Sequence, residues 1–231
     1  MVDSVLSATD TDDKHYKHSG FSATIDASHS SPGSVPSSVT WDGTNLLSAD
    51  SSGTHKHYKH SGFSATIDAS FTVAANFPKG VTWDATNLLS VSAAAGVDKH
   101  YKHSAFTSTI DASYSAPGTE PTGITWDNTN VLSSDDDDNK HYKHSGFSAT
   151  IDASYSYPTS APRDLTWDGT NVLSAETTFP GNHRKHDGFS ATIDASYNTP
   201  ATVPTGITWD GRHSGAPANK RRYTFTTLGV G

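Results

Sequence analysis

Val39-Thr-Trp-Asp-Gly-Thr-Asn-Leu-Leu47 is the stretch on which the fold turns. It returns as Val81-Thr-Trp-Asp-Ala-Thr-Asn-Leu-Leu89, Ile124-Thr-Trp-Asp-Asn-Thr-Asn-Val-Leu132 and Leu165-Thr-Trp-Asp-Gly-Thr-Asn-Val-Leu173. A fifth copy begins at Ile207-Thr-Trp-Asp-Gly211 and then departs. Every tryptophan of the chain lies in this motif, at Trp41, Trp83, Trp126, Trp167 and Trp209. A fixed period of about 42 residues marks a propeller, a solenoid or an array.

Each repeat reads as four short strands. Strand A runs from Val39 to Asp42 and strand B from Leu46 to Ala49. Strand C runs from His57 to His60 and strand D from Phe63 to Ser70. Strand D, seen first in Phe21-Ser-Ala-Thr-Ile-Asp-Ala-Ser28, alternates apolar and polar residues with a period of two and has no helical stripe. The A–B hairpin turns at Asp42-Gly-Thr-Asn45. Because Ala85 and Asn128 replace the glycine in sister copies, the sequence predicts a type I turn with no obligatory positive φ. The C–D hairpin turns at Ser19-Gly20, with Ala105 in place of the glycine once.

Four strands per repeat predict an all-β, five-bladed β-propeller. The chain opens with strands B, C and D, and the fifth copy supplies strand A. The expected closing blade therefore combines 206–210 with 5–28. The other blades are expected at 38–70, 80–113, 123–154 and 164–196. Such a clasp removes exposed strand edges. Residues 212–231 form a tail, in which Lys220 to Leu228 reads as a possible extra strand.

The links divide into two classes. The D-to-A links differ among copies, from Ser28 to Ser37 through Tyr197 to Thr205, and so do the B-to-C links. The A-to-B and C-to-D turns hardly change. Antiparallel alternation predicts one diversified face and one nearly five-fold symmetric face. Tolerant loops drifting without function would give the same pattern.

The formal net charge of −8 argues against a nucleic-acid partner. No cysteine is present, so disulfides are excluded. No apolar run has membrane-spanning length, and no signal peptide is expected at the start of the chain.

Ten of the 13 histidines form pairs spaced by three residues: His15/His18, His57/His60, His100/His103, His141/His144 and His183/His186. That spacing sends the two rings to opposite faces of a strand. One copy cannot chelate a metal; ligands from a neighbouring strand or blade would be required. The preferred reading is polar side chains on a semi-exposed strand, with Tyr16, Tyr58, Tyr101 and Tyr142 packed inward. Arg184 takes the tyrosine position in the last copy. Titration of these histidines in mild acid is expected to add several positive charges at once, which a flat thermal-stability profile between pH 5 and 8 would contradict.

The tryptophans are expected to pack between blades, each with its aspartate serving the adjoining turn. The alternative is an aromatic platform and carboxylate for a sugar. On that alternative the candidate binding residues are Trp41, Trp83, Trp126, Trp167 and Trp209 with His18, His60, His103, His144 and His186. The ring Asp26, Asp68, Asp111, Asp152 and Asp194 is expected to bond neighbouring blades or backbone, and Asp135–Asp138 to be a solvated loop. No catalytic residue, metal ligand set or cofactor is assigned. Near-identical blades supply five equal carboxylates, whereas an acid and a base must differ in environment.

Pro-Thr-Gly-Ile-Thr-Trp-Asp, at Pro121 to Asp127 and Pro204 to Asp210, resembles the opening of the inner strand in the NHL and YVTN-like propeller groups. The chain departs from them after strand B, where Ser48-Ala49 or Ser133-Ser134 stands in place of an apolar run. The chain also looks like repeat proteins of environmental microbes and their phages. Members of the propeller groups bind proteins, RNA or small ligands, or are enzymes, so the resemblance implies fold more than function.

The leading expectation is a non-enzymatic, multivalent, lectin-like adhesion module whose inter-blade clefts take a glycan or another repetitive cell-surface ligand. The alternatives are an assembly component of an extracellular or virion structure, docking another protein through the tail, and a channel-site hydrolase. An extracellular or virion location is favoured over others.

Overall fold

The computed structural model describes residues 3–53, 55–73, 77–94, 97–159, 161–177 and 180–211. Among them there are twenty strands and no helix. Five four-stranded antiparallel sheets stand around one axis. The closing blade has the order β20 (Pro204–Trp209), β1 (Val5–Thr9), β2 (Lys14–His18), β3 (Ile25–Ser30). Blade 2 is β4 (Pro36–Trp41), β5 (Leu46–Asp50), β6 (Lys56–His60) and β7 (Ile67–Thr72). Blade 3 runs from β8 (Pro78–Trp83) through β9 (Leu88–Ala94) and β10 (Val97–His103) to β11 (Ile110–Ser115). Blade 4 is β12 (Pro121–Trp126), β13 (Val131–Asp135), β14 (Lys140–His144) and β15 (Ile151–Ser156). Blade 5 is β16 (Pro162–Trp167), β17 (Val172–Glu176), β18 (Asn182–His186) and β19 (Ile193–Asn198). The expected tail strand at Lys220–Leu228 lies outside the described residues.

The core follows from a period of two on strands buried on both faces. Consecutive residues of each B strand point into opposite seams. Leu46 packs with Leu6, Ala8 and Val39 toward the closing blade. Leu47 and Ala49 pack with Val81 and Leu88 toward blade 3. The same division holds for Leu88 against Leu89, Val131 against Leu132 and Val172 against Leu173. Five small clusters, each shared by two blades, thus replace one central core. Truncating one such leucine to alanine costs about 2–5 kcal/mol.

Closure repeats the register of a covalent blade. Val5 faces Trp209, Leu6 faces Thr208 and Ser7 faces Ile207, as Leu46, Leu47 and Ser48 face Trp41, Thr40 and Val39. Even the turn is imitated across the chain break. In blade 2 the Asp42 N–H donates to the Asn45 carbonyl at 3.1 Å and Asp42 Oδ1 accepts the Asn45 N–H at 2.7 Å. In the closing blade the Asp210 N–H donates to the Ser4 carbonyl at 2.9 Å, and Asp210 Oδ1 accepts the Ser4 N–H.

Two expectations about local structure are corrected. The A–B turn keeps a positive φ in all four covalent copies: Gly43 at 97°, Ala85 at 79°, Asn128 at 79° and Gly169 at 99°. Two N–H groups bonded to the preceding aspartate fix the turn and hold Ala85 and Asn128 in a conformation that glycine prefers. Strand D begins four residues later than its alternation indicated, at Ile25 and not Phe21, and at Ile67 and not Phe63. It is the outermost strand and is exposed on most of its length, so alternation there does not report a buried face.

Candidate functional site

The inner strands meet at the axis two residues after each opening proline, at Ser38, Gly80, Gly123, Asp164 and Gly206. A Cβ on Gly80 would lie 2.9 Å from Gly123 Cα, and one on Gly206 would lie 2.9 Å from Ser38 Cα, which explains the glycines. Asp164 and Ser38 fill the middle. Asp164 Oδ2 accepts the Ser38 hydroxyl at 2.7 Å and the Ile207 N–H at 3.1 Å, and Oδ1 accepts the Leu165 N–H at 3.0 Å. Burial pushes the Asp164 carboxyl well above its usual pKa, against these hydrogen bonds.

One residue nearer the proline, the matching positions carry Ser37, Lys79, Thr122, Arg163 and Thr205. All five line one cavity of about 390 Å³ at the mouth of the ring. Asp10, Ser51 and Thr177 of the B–C links, Val35 and Val203 of the D–A links, and Pro36 complete its wall. Both kinds of variable link therefore border the axis on one face. The Ser37 and Thr122 hydroxyls donate to the carbonyls of Pro78 and Pro162, at 2.8 and 2.9 Å, and Thr205 donates to that of Pro36. Their oxygens keep lone pairs as acceptors. Arg163 is anchored by Asp136 at 3.4 Å and by Thr177 at 3.2 Å. Lys79 has no hydrogen-bond or ion-pair partner within bonding distance among the described residues. Burial, followed by the charges of Asp13 and Asp50, raises the pKa of Asp10, and Lys79 opposes the shift.

The histidines lie elsewhere, and their expected semi-exposure is corrected. All ten are buried, with at most 1% exposure. The two rings of a pair do point to opposite faces, and each meets the next blade. His15 packs on His60, His57 on His103, His100 on His144, His141 on His186, and His183 on His18. An outer-strand ring joins each pair: His29, Phe71, Tyr114, Tyr155 and Tyr197 in turn. A phenylalanine from the C–D turn closes each seam, as Phe63 does on His29.

Hydrogen bonds fix several tautomers. Nδ1–H of His18, His60, His144 and His186 donates to the carbonyls of Ser22, Ser64, Ser148 and Ser190 at 2.9, 2.8, 2.9 and 2.9 Å. Each Nε2 then accepts from a strand-B serine: Ser7, Ser48, Ser133 and Ser174 at 2.8, 3.0, 2.9 and 2.9 Å. Ser90 meets His103 likewise at 2.8 Å. Burial holds the pKa values down, to about 4 for His18, His60, His144 and His186 and about 3 for His57 and His100.

Trp41, Trp83, Trp126, Trp167 and Trp209 are half-buried and pack on the five inter-blade clusters. The aspartate after each one caps the turn and pairs with a strand-C lysine, as Asp42 does with Lys59 at 2.9 Å. Each tryptophan thus borders the seam that holds one of the candidate histidines, and those histidine rings are closed off from solvent. Asp26, Asp68, Asp111, Asp152 and Asp194 are exposed at the outer-strand bulges, so they do not brace neighbouring blades as expected. The loop Asp135–Asp138 is not simply solvated. Asp135 is buried and accepts the Glu120 N–H, and Asp138 accepts the Tyr142 hydroxyl. The funnel went unforeseen, although aligning the residue after each strand-A proline would have exposed its ring.

No protein-family model and no curated protein matches the chain. Solved structures do. One from the crystal structure of a nidogen/laminin complex superposes with a TM-score of 0.62 at 13% identity, over 90% of this chain and 98% of that one. The glutaminyl cyclase of Myxococcus xanthus gives a TM-score of 0.57 at 12% identity, over 75% and 69%. A protein of unknown function from Bacteroides caccae gives 0.54 at 11%, over 86% and 73%. At these identities the likeness concerns architecture alone. The chain is a five-bladed β-propeller, similar in fold to a chain from a nidogen/laminin complex and to an enzyme.

Proposed function

We propose that this propeller is a non-enzymatic binding module whose ligand enters the funnel on the variable face, and that the ligand is an acidic sugar. The observation that carries the reading is the ring Ser37, Lys79, Thr122, Arg163 and Thr205 around one cavity of about 390 Å³. Lys79 and Arg163 supply donors and positive charge for a carboxylate. The Ser37 and Thr205 oxygens, whose protons go to proline carbonyls, supply acceptors for sugar hydroxyls, while the Thr122 oxygen already meets the Ser134 hydroxyl at 3.0 Å. The volume is that of a small-molecule site. Among the lining residues only Asp10 is a carboxylate, whereas most glycoside hydrolases need two. The five seams are filled by buried rings, which favours one funnel over five equal clefts.

Calorimetry with glucuronic acid, sialic acid and glucose tests this. Acidic sugars are expected to bind, glucose not, and Lys79→Ala is expected to weaken binding at least about tenfold, the value of one charge-assisted contact. Equal binding of acidic and neutral sugars, no binding of either, or an unchanged K79A would overturn the reading.

A further inference from the structure

We infer that the seam between the closing blade and blade 2 is a binding site for one late first-row divalent cation of the zinc type, held by His15, His29 and His60. In four seams the outer-strand ring is Phe71, Tyr114, Tyr155 or Tyr197. In this seam alone it is a histidine. Among the described residues these three are the one group of potential ligands found close enough together, with one nitrogen from each within 4.8 Å of the others. Neutral imidazole is a common ligand for zinc, copper and nickel.

The hydrogen bonding prepares two of the rings. His29 Nδ1–H donates to the Ser30 carbonyl at 3.1 Å, and His60 Nδ1–H donates to the Ser64 carbonyl at 2.8 Å. A backbone acceptor on one ring nitrogen is the usual outer partner of a metal-bound histidine, because it leaves the other nitrogen with its lone pair. His29 Nε2 is buried with no partner. His60 Nε2 meets only the Ser48 hydroxyl, at 3.0 Å, whose proton can turn away. His15 is buried with both ring nitrogens unpartnered. His57 and His100 share that last feature, so an orphaned ring does not by itself mark the site. The convergence of three does. Where Tyr155 and Tyr197 take the outer position, their hydroxyls meet His141 and His183 Nδ1 at 2.7 and 2.8 Å instead.

Tetrahedral zinc at its usual bond length sets ligand nitrogens about 3.4 Å apart, so rings whose nitrogens lie within 4.8 Å must close in by up to about 1.4 Å. His29 is only half-buried, which gives an entry path and leaves the fourth position to water. The ion would tie β2 and β3 to β6. Its role would be to fasten the clasped blade to its neighbour, separately from the funnel.

The test counts ions. Protein stripped with chelator is titrated with Zn²⁺ by calorimetry and with Co²⁺ by visible absorption. Wild type is expected to bind one ion per chain with a Kd of about 1 µM or tighter. His29→Phe copies the residue of the next seam, so it should fold with an unchanged metal-free Tm and bind none. Phe71→His completes the same triad with His57 and His103, so stoichiometry should rise to two. Zn²⁺ should raise the Tm of wild type and not of H29F. No binding by wild type, or a stoichiometry that neither substitution changes, would overturn the assignment.

Discussion

Arg184 stands where the other four blades carry Tyr16, Tyr58, Tyr101 and Tyr142. The reason is its neighbour. Glu176 is fully buried, and Arg184 holds its Oε1 through Nε at 2.9 Å and Nη2 at 2.5 Å. Removing one partner of a buried pair leaves an uncompensated charge. Arg184→Ala is therefore expected to lose about 3 kcal/mol in urea unfolding. The double variant Arg184→Tyr with Glu176→Asp should recover at least half of that, since blades 2 and 4 carry Asp50 with Tyr58 and Asp135 with Tyr142 at matching positions. Equal losses in the single and double variants would refute the pairing. The sequence showed the exchange at 184 but not its partner, because an acid also ends strand B in blades where no arginine follows.

Among the elements, the A–B turn carries a side chain in a left-handed conformation twice, at Ala85 and Asn128. Ala85 sits at φ 79°, where a Cβ is disfavoured, and at the equivalent Gly43 an added Cβ would meet nothing within 4 Å. The strain is therefore backbone strain and not crowding. Ala85→Gly should relieve about 1 kcal/mol after the entropy of a freer unfolded chain is subtracted, raising Tm by about 2–4 °C. A fall in Tm would show that the turn tolerates the side chain. Strands A and B were legible because each sends residues into two seams. Strand D was misplaced because Phe21, Ala23 and Ile25 alternate without a common buried face. Phe21 belongs to the turn and fills a seam against Tyr197. The burial of the histidines was not legible from residue type, because an imidazole is polar until its partner satisfies it. The serine two residues into every B strand was the signal, since Ser7, Ser48, Ser90, Ser133 and Ser174 all meet a histidine ring. His29 could have been found by aligning Ala-Ser-His with Ala-Ser-Phe and Ala-Ser-Tyr.

For the whole molecule, five seams of neutral imidazole set the conditions under which the ring stays closed. Leaving aside His15 and His60, eight paired histidines remain in four seams. Burial lowers the pKa of each of them in the folded chain. The unfolded chain therefore binds more protons below about pH 6.5, so stability is complete above that value and is lost as pH falls. Each proton that the unfolded chain takes up below that value lowers the stability of the ring, and the losses from the four seams add. The period of the Trp-Asp motif revealed that the ring closes; only the seams show what holds it shut. The most direct measurement is urea unfolding in the presence of chelator at half-unit steps from pH 8 to pH 5. A midpoint steady above pH 7 and falling progressively below pH 6.5 is the expected result. A midpoint that does not change between pH 7.5 and 5.5 would contradict buried, neutral histidine seams.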